Sequence, residues 1–322
     1  MNKRNLKFLL PAKFANNIGG GVGVKYARIE EAGGEEYRCT RIAETGAVEA
    51  DDVVFADWLW FCATDGKSIS DQAKAFIELQ NPKCIYGSEL CVLTWPQKLI
   101  QRLIESVDLI TYNTEYQREL YRVIGIHNSR FLCDPVPESL FFPSLHKMQR
   151  RLVCVGQISE AKRSVAVLKI FEKLRDSGVE RFYIGGSMAW GNKYGYKKDA
   201  QLHNQIKAVA DGFIENATQG EMAEIINESA FYAHVSYHDV ASSSNQENMS
   251  AGNITFGLTH PVLRERTPYR FDKPASLAQA VADYPFQTKK HQQDITKVVE
   301  TANQWSYTAW REQISAILRL IT

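Results

Sequence analysis

The sequence has 322 residues, 44% of them hydrophobic, with 38 Lys and Arg against 37 Asp and Glu and a net charge of +1. That length predicts about two domains with real cores, and the balanced charge leaves nucleic acid or an acidic membrane surface only through a local basic patch. No apolar run reaches the length of a membrane span; Phe8, Leu9 and Leu10, cut off by Pro11, are too few for a secretion signal, so a soluble cytoplasmic protein is expected.

Strands and helices alternate along the chain, the signature of α/β architecture. Residues 6–10 predict a strand. A loop over 16–21, containing Gly19, Gly20 and Gly21, leads to a helix from about Val22 that stops at Gly33 and Gly34. Residues 52–56 predict the next strand, followed by Trp58, Leu59, Trp60 and Phe61. Residues 83–86 predict another, ending in Gly87, Ser88 and Glu89. A helix over 96–106 precedes a strand over 109–112. Thr114-x-x-Gln117 is a capping box that opens a helix ending near Gly125. A strand over 130–132 closes this half. Asp134, Pro135, Val136, Pro137 and Pro143, with the polar stretch to Arg150, predict a linker, which puts the domains at 1–148 and 149–322.

The second half restarts at Leu152. Residues 182–184 predict a strand that breaks at Gly185 and Gly186, before a polar, aromatic loop over 187–198. Thr218-x-x-Glu221 is another capping box, with Met222, Ile225 and Ile226 on one helical face. Residues 231–235 predict a strand, 242–252 a polar loop, and 253–257 a further strand. A last helix starts near Ser306, with Trp310, Ile314, Ile317, Leu318 and Ile321 in register. In sheets of this kind ligands sit at the carboxyl ends of the strands.

The segment over 151–175, RLVCVGQISEAKRSVAVLKIFEKLR, carries the clearest chemistry. Val153, Cys154 and Val155 predict a strand covered on both faces, Gly156 a tight turn, and Val167, Ile170, Phe171 and Leu174 a helical stripe. Lys162 stands at the mouth of that helix. A lysine beside free helix N–H groups is a ready anion site, with phosphate the usual guest; the plain alternative is a βα unit with a solvated lysine. Gly19, Gly20 and Gly21 permit close backbone approach to a phosphate or simply make a tight turn. The same region is a poor dinucleotide fingerprint, because Tyr26 stands where a third small residue belongs, and GxxxxGK[ST] is absent. The six cysteines, Cys39, Cys62, Cys84, Cys91, Cys133 and Cys154, form no CxxC pair, which argues against zinc and a disulfide framework and for buried thiols. Trp58, Trp60 and Trp95 are candidates for core packing or for stacking on a sugar or base.

Several pieces, in order, resemble the retaining glycosyltransferases of family 4: VDLITYNTEYQRELY, DPVPESLFFP, VGQISEAKRS, YIGG, DGFIENATQGEMAEIINESAFYAHVS, THPV and WSYTAWREQI. Together they cover most of residues 107–320; the first 105 residues match more loosely. The resemblance implies the GT-B fold, two Rossmann-like domains facing across a cleft, with the C-terminal helix packing back on the N-terminal domain. It implies a nucleotide-sugar donor, a UDP- or GDP-sugar, held mainly by the second domain, and no further cofactor. Lys162 matches the lysine of the family's basic pair on the diphosphate, and Gln157 stands where an arginine is usual. Glu247, Asn248, Met249 and Ser250 resemble the start of the Glu-x7-Glu element, with the acid on donor-sugar hydroxyls and the following amides on phosphate. The second glutamate has no clear match.

With no D-x-D in the sequence, charge on a departing diphosphate is expected to be met by Lys162, by the amides of Gly20 and Gly21 and by those near Met249 and Ser250, without a metal. Asp57 and Glu89 each follow a strand and are candidates to orient or deprotonate an acceptor hydroxyl; a helix cap and a solvated charge are the plain alternatives. The acceptor is a glycan, a lipid-linked sugar or a hydroxymethylated DNA base, the last as in related compact phage enzymes and suggested by Arg264, Arg266, Arg270 and Lys273. A non-catalytic sugar-nucleotide-binding or scaffold protein of the same fold is the rival.

Overall fold

The computed structural model describes residues 3–15, 20–61, 69–86, 97–146, 148–160, 162–185, 200–236, 242–259 and 261–322. Its contacts divide into two compact units, residues 1–135 with 305–322, and residues 136–304. The last eighteen residues therefore belong with the first half of the chain, not with the half that precedes them in sequence.

The first unit runs β1 (Arg4–Leu9), α1 (Ala12–Ala15), α2 (Gly20–Gly33), β2 (Tyr37–Ile42), β3 (Val53–Asp57), α3 (Trp58–Phe61), α4 (Ile69–Ile77), β4 (Lys83–Tyr86), α5 (Gln97–Ser106), β5 (Leu109–Tyr112), α6 (Glu115–Val123) and β6 (Ser129–Phe131). Its sheet has the order β2-β1-β3-β4-β5-β6 and every pairing is parallel. Strands β3, β4 and β5 are buried at every residue, as strands covered on both faces must be. Of the three tryptophans named above as stacking candidates, Trp58 and Trp60 belong to this core. The Trp58 indole donates to the Tyr121 hydroxyl at 2.7 Å, and the Trp60 indole to the Ala43 carbonyl at 2.9 Å. Trp95 lies outside the described residues.

The second unit runs β7 (Gln149–Gly156), α7 (Ser164–Lys173), β8 (Glu180–Gly185), α8 (Ala200–Val209), β9 (Gly212–Glu215), α9 (Gln219–Asn227), β10 (Ser229–His234), α10 (Ser243–Ser250), β11 (Ile254–Leu258), β12 (Arg270–Phe271), α11 (Pro274–Ala282) and α12 (Lys289–Ala302). Its all-parallel sheet has the order β12-β11-β10-β7-β8-β9. The chain leaves β7 in one direction through β8 and β9, then returns to lay β10 on the other side of β7. That reversal makes the gap between β7 and β10 the switch point of the sheet. The final helix, α13 (Tyr307–Ile321), packs in the first unit on the end of α2. There the Tyr307 hydroxyl donates to Glu31 at 2.8 Å, and the Arg311 guanidinium donates to the Ala32 carbonyl at 3.1 Å, a cation on the carbonyl end of a helix.

Two capping boxes were predicted, and they form differently. Thr218 and Glu221 make both reciprocal bonds. Thr114 accepts from the Gln117 N–H, but the Gln117 side-chain Oε1 accepts from the Asn113 backbone N–H, one residue before the cap. Cys39, Cys84, Cys133 and Cys154 are free thiols. Burial pushes each up, Cys39 to about 12, so they stay protonated and inert. No helix among the described residues is long and apolar enough to cross a membrane.

One glycine predicts a stability effect. Gly212 pairs with Phe182 across β8 and β9, and a Cβ at Gly212 would clash with the Phe182 ring. The Arg151 guanidinium lies over the same ring at 5.2 Å, which limits where the ring can go. Gly212→Ala is expected to cost about 1–3 kcal/mol through overpacking. A lowered urea midpoint at unchanged slope would register it.

Candidate functional site

The site is built on the carboxyl edge of the second sheet, at the β7/β10 switch point. β7 ends at Gly156, whose φ of +149° suits glycine. The chain then turns through a self-satisfied loop. Ser164 Oγ accepts the Ser159 N–H at 2.9 Å, Ser159 Oγ accepts the Lys162 N–H at 3.3 Å, and the Arg163 N–H donates to the Glu160 carbonyl at 2.8 Å. The Tyr183 hydroxyl donates to the Gly156 carbonyl at 3.0 Å and ties the turn to β8. Arg163, in the left-handed conformation at φ 50°, begins α7 without a side-chain cap. The backbone of Lys162 is thus fixed next to the start of α7, where the Ser164 and Ala166 N–H groups already donate to the Ser159 and Arg163 carbonyls and the helix dipole favours an anion.

A small cavity opens at this edge. It is lined by Cys154 and Val155 of β7, Lys162, Val167 of α7, Tyr183 of β8, and residues 232–236 at the end of β10. Tyr232 pairs with Val153. Two residues further along each strand, His234 therefore stands level with Val155, beside the turn that carries Lys162. The Tyr232 hydroxyl lies 3.4 Å from His234 Nδ1 and 3.1 Å from Ser244 Oγ of α10, and Ser244 Oγ lies 2.9 Å from Ser242 Oγ. Lys162, Tyr183, Tyr232, His234 and Ser236 are the lining residues with side chains able to donate to an oxyanion.

The predicted site residues separate on this frame. Lys162 lines the cavity, half-buried. Gln157 lies in the same turn, one residue past Gly156, with its backbone carbonyl accepting from Ser164 Oγ at 3.4 Å. The stretch predicted as a polar loop over 242–252 is instead mostly helix α10, and this corrects part of the donor set. Met249 and Ser250 occupy its last turn, where backbone N–H groups point back into the helix and are unavailable to phosphate. Met249 is fully buried. Asn248 is also structural: it donates to the Ser244 carbonyl at 2.7 Å and accepts from Asn253 Nδ2 at 2.7 Å. Glu247 is buried at the centre of α10 and is not among the cavity's lining residues.

In the first unit, Gly20 and Gly21 open α2, so the predicted loop is already helix at Gly20. Their amides lie in the first turn of α2; Gly19 lies outside the described residues. Asp57 ends β3 with no exposed surface. Its Oδ2 accepts from Lys25 Nζ at 3.0 Å and from the Tyr26 hydroxyl at 2.5 Å. Burial, with Asp57 next to it, pushes the Tyr26 phenol well up, which keeps it a donor. This carboxylate takes part in a buried ion pair with Lys25, a structural alternative to its expected role as an acceptor base. Glu89 lies outside the described residues.

Sequence reasoning missed Tyr232 and His234. The run over 229–234, SAFYAH, was covered by an ordinary buried-strand pattern. The one available signal was a histidine at the carboxyl end of an otherwise buried strand. Among the described residues no three His, Cys, Asp or Glu side chains gather as metal ligands.

No family model and no curated protein sequence matches the chain. Solved structures match its fold over full length. Sucrose-phosphate synthase from Thermosynechococcus elongatus is similar with a TM-score of 0.73 at 11% identity, covering 98% of both chains. HepE from Anabaena, solved with UDP and glucose, has a TM-score of 0.70 at 11% identity over 98% of this chain and 99% of its own; it was also solved with UDP-glucose. A glycosyltransferase from Rickettsia africae has a TM-score of 0.67 at 9% identity over 100% of both. At these identities the likeness is one of fold: two Rossmann-like α/β halves of the GT-B type.

Proposed function

We propose that the protein is a glycosyltransferase that moves a sugar from a nucleotide-sugar donor to an acceptor hydroxyl. The observation that carries this reading is Lys162, which lines a cavity at a β-sheet switch point in a fold shared end to end with a protein solved with UDP-glucose. By that likeness the donor is a UDP-sugar, with a GDP-sugar the alternative. The bond between the anomeric carbon and the diphosphate oxygen breaks, and its electron pair leaves with the nucleotide. The acceptor oxygen bonds to the anomeric carbon, and its proton passes to the departing phosphate. Entry and departure on one face retain the anomeric configuration. Lys162 meets the charge that grows on the leaving phosphate, and the start of α7 adds backbone dipoles beside it. The start of α2 at Gly20 and Gly21 is the first unit's anion-directed element.

The absence of a D-x-D carboxylate pair supports a metal-independent reaction. A glycan or lipid-linked sugar suits the acceptor better than DNA. Arg266 is buried, and exposed Glu265 and Asp272 interrupt Arg264, Arg270 and Lys273, so the basic run is not a continuous cationic face. DNA binding predicts a salt-sensitive duplex shift; none is expected.

The deciding measurement is release of UDP from UDP-glucose by the purified protein, alone and with glycan acceptors. Slow hydrolysis that acceptors accelerate is expected, with no change on adding EDTA. Activity lost to the chelator would remove metal independence. The rival reading, a protein that binds nucleotide sugars without turning them over, is favoured by uncharged Gln157 and by the sequestered Asp57 carboxylate. Binding without release or transfer across the acceptor panel would establish it.

A further inference from the structure

The donor's diphosphate carries two negative charges, and Lys162 supplies one positive charge. A half-buried anion with an uncompensated charge is costly, and Gln157 adds no charge. Among the described lining residues, His234 is the further group able to become cationic. His234 ends β10, is 3% exposed and lines the same cavity as Lys162. Strand alternation puts Tyr232 and His234 on one face of the sheet. The chain of hydroxyls from Tyr232 through Ser244 to Ser242, the N-cap of α10, holds the Nδ1 edge of the imidazole.

We infer that His234 is the second cationic contact of the donor diphosphate and that it takes up a proton when the nucleotide sugar binds, with Tyr232 and Ser244 as its positioning residues. This rests on the donor-binding reading above. The groups around the imidazole fit it. Lys162 lines the shared cavity, where its charge disfavours a second cation until an anion arrives. Cys154 of β7 and Tyr183 of β8 are both pushed up by burial and stay neutral. Tyr232 lies on the same strand, and Glu247 is the titratable side chain of α10, the helix packed on β10. β11, on the other side of β10, carries no titratable side chain. The sign follows from linkage. An anion bound against His234 raises its pKa in the complex, so binding takes up a proton and tightens as pH falls through the ordinary histidine range near 6.5.

UDP-glucose and GDP-mannose are suitable probes, because neither has a terminal phosphate with the ionisation near pH 6 that would change ligand charge. Calorimetric titration of the intact protein from pH 8.0 to 5.5 is expected to show about tenfold tighter binding at the acid end, the gain of one charge-assisted contact. At pH 7, buffers of different ionisation enthalpy should reveal net proton uptake by the wild-type protein. His234→Gln should flatten the pH dependence, whereas Lys162→Ala should weaken binding at every pH and keep the slope. If His234→Gln disturbs folding, the wild-type proton uptake decides alone. Binding independent of pH without proton uptake, or a slope that survives His234→Gln, overturns the inference and leaves the donor reading standing. Failure of both probes to bind at any pH overturns both.

Discussion

Lys162→Ala is expected to weaken UDP-sugar binding about ten- to one-hundred-fold and to slow donor cleavage further, with little change in stability. A charge-assisted contact to phosphate is worth about 1.5–3 kcal/mol, and each 1.4 kcal/mol is tenfold in affinity. The side chain stands on a turn whose backbone bonds are made by Ser159, Glu160 and Ser164 backbone or hydroxyl groups, and these bonds do not use the Lys162 side chain. The charge on the leaving phosphate is larger in the transition state than in the bound donor, so the rate should fall more than the affinity. Lys162→Arg keeps the charge but replaces a point ammonium by a planar fork, and partial recovery is expected. Calorimetry for affinity and UDP release for rate check both parts. Donor affinity equal to wild type in the alanine variant would remove Lys162 from the site.

The largest stability effect is expected in the first unit. Lys25→Met leaves the Asp57 carboxylate buried without its cation 3.0 Å away, and such a break typically costs about 3–5 kcal/mol. The surroundings offer little relief. Lys25 also lies over the Tyr26 ring at 4.7 Å and the Tyr86 ring at 5.2 Å, and both phenols are pushed well up by burial, so neither takes the place of a cation. Urea unfolding of the variant should show the loss as a lower midpoint. The double variant Lys25→Met/Asp57→Leu should recover most of it, because an apolar pair can replace a buried ion pair at small cost. Asp57→Asn separates this role from catalysis. Wild-type stability with abolished transfer would return Asp57 to the active site as an acceptor base.

The parts of this protein legible in its sequence are those encoded within a few neighbouring residues. Val153, Cys154 and Val155 announce a buried strand because a parallel sheet covers both faces. Thr218 and Glu221 announce a helix start because the two side chains satisfy each other's backbone groups. The stripe from Trp310 to Leu318 announces α13 because its apolar positions fall on one side of a helix. Lys162 could be singled out for the same reason, since a strand, a glycine turn and a helix start lie within one short segment. The polar stretch 243–250, SSNQENMS, carried no such signal. It has no apolar stripe, yet it is a helix buried over 245–249, because tertiary packing and the Ser242 cap decide its state.

Composition, alternation and short spacings by themselves determined an α/β chain of two halves and one lysine poised for an anion. Only the tertiary structure decided that β10 lies beside β7, which sets His234 and Tyr232 at the cavity of Lys162, and that Asp57 is locked to Lys25 and Tyr26. The closing of the final helix on the first unit was implied beforehand by the family resemblance. The physical reason is range. Periodicity and caps arise from contacts within one turn or one pleat, whereas strand order and the pairing of buried charges join residues far apart in the chain, which no local pattern records.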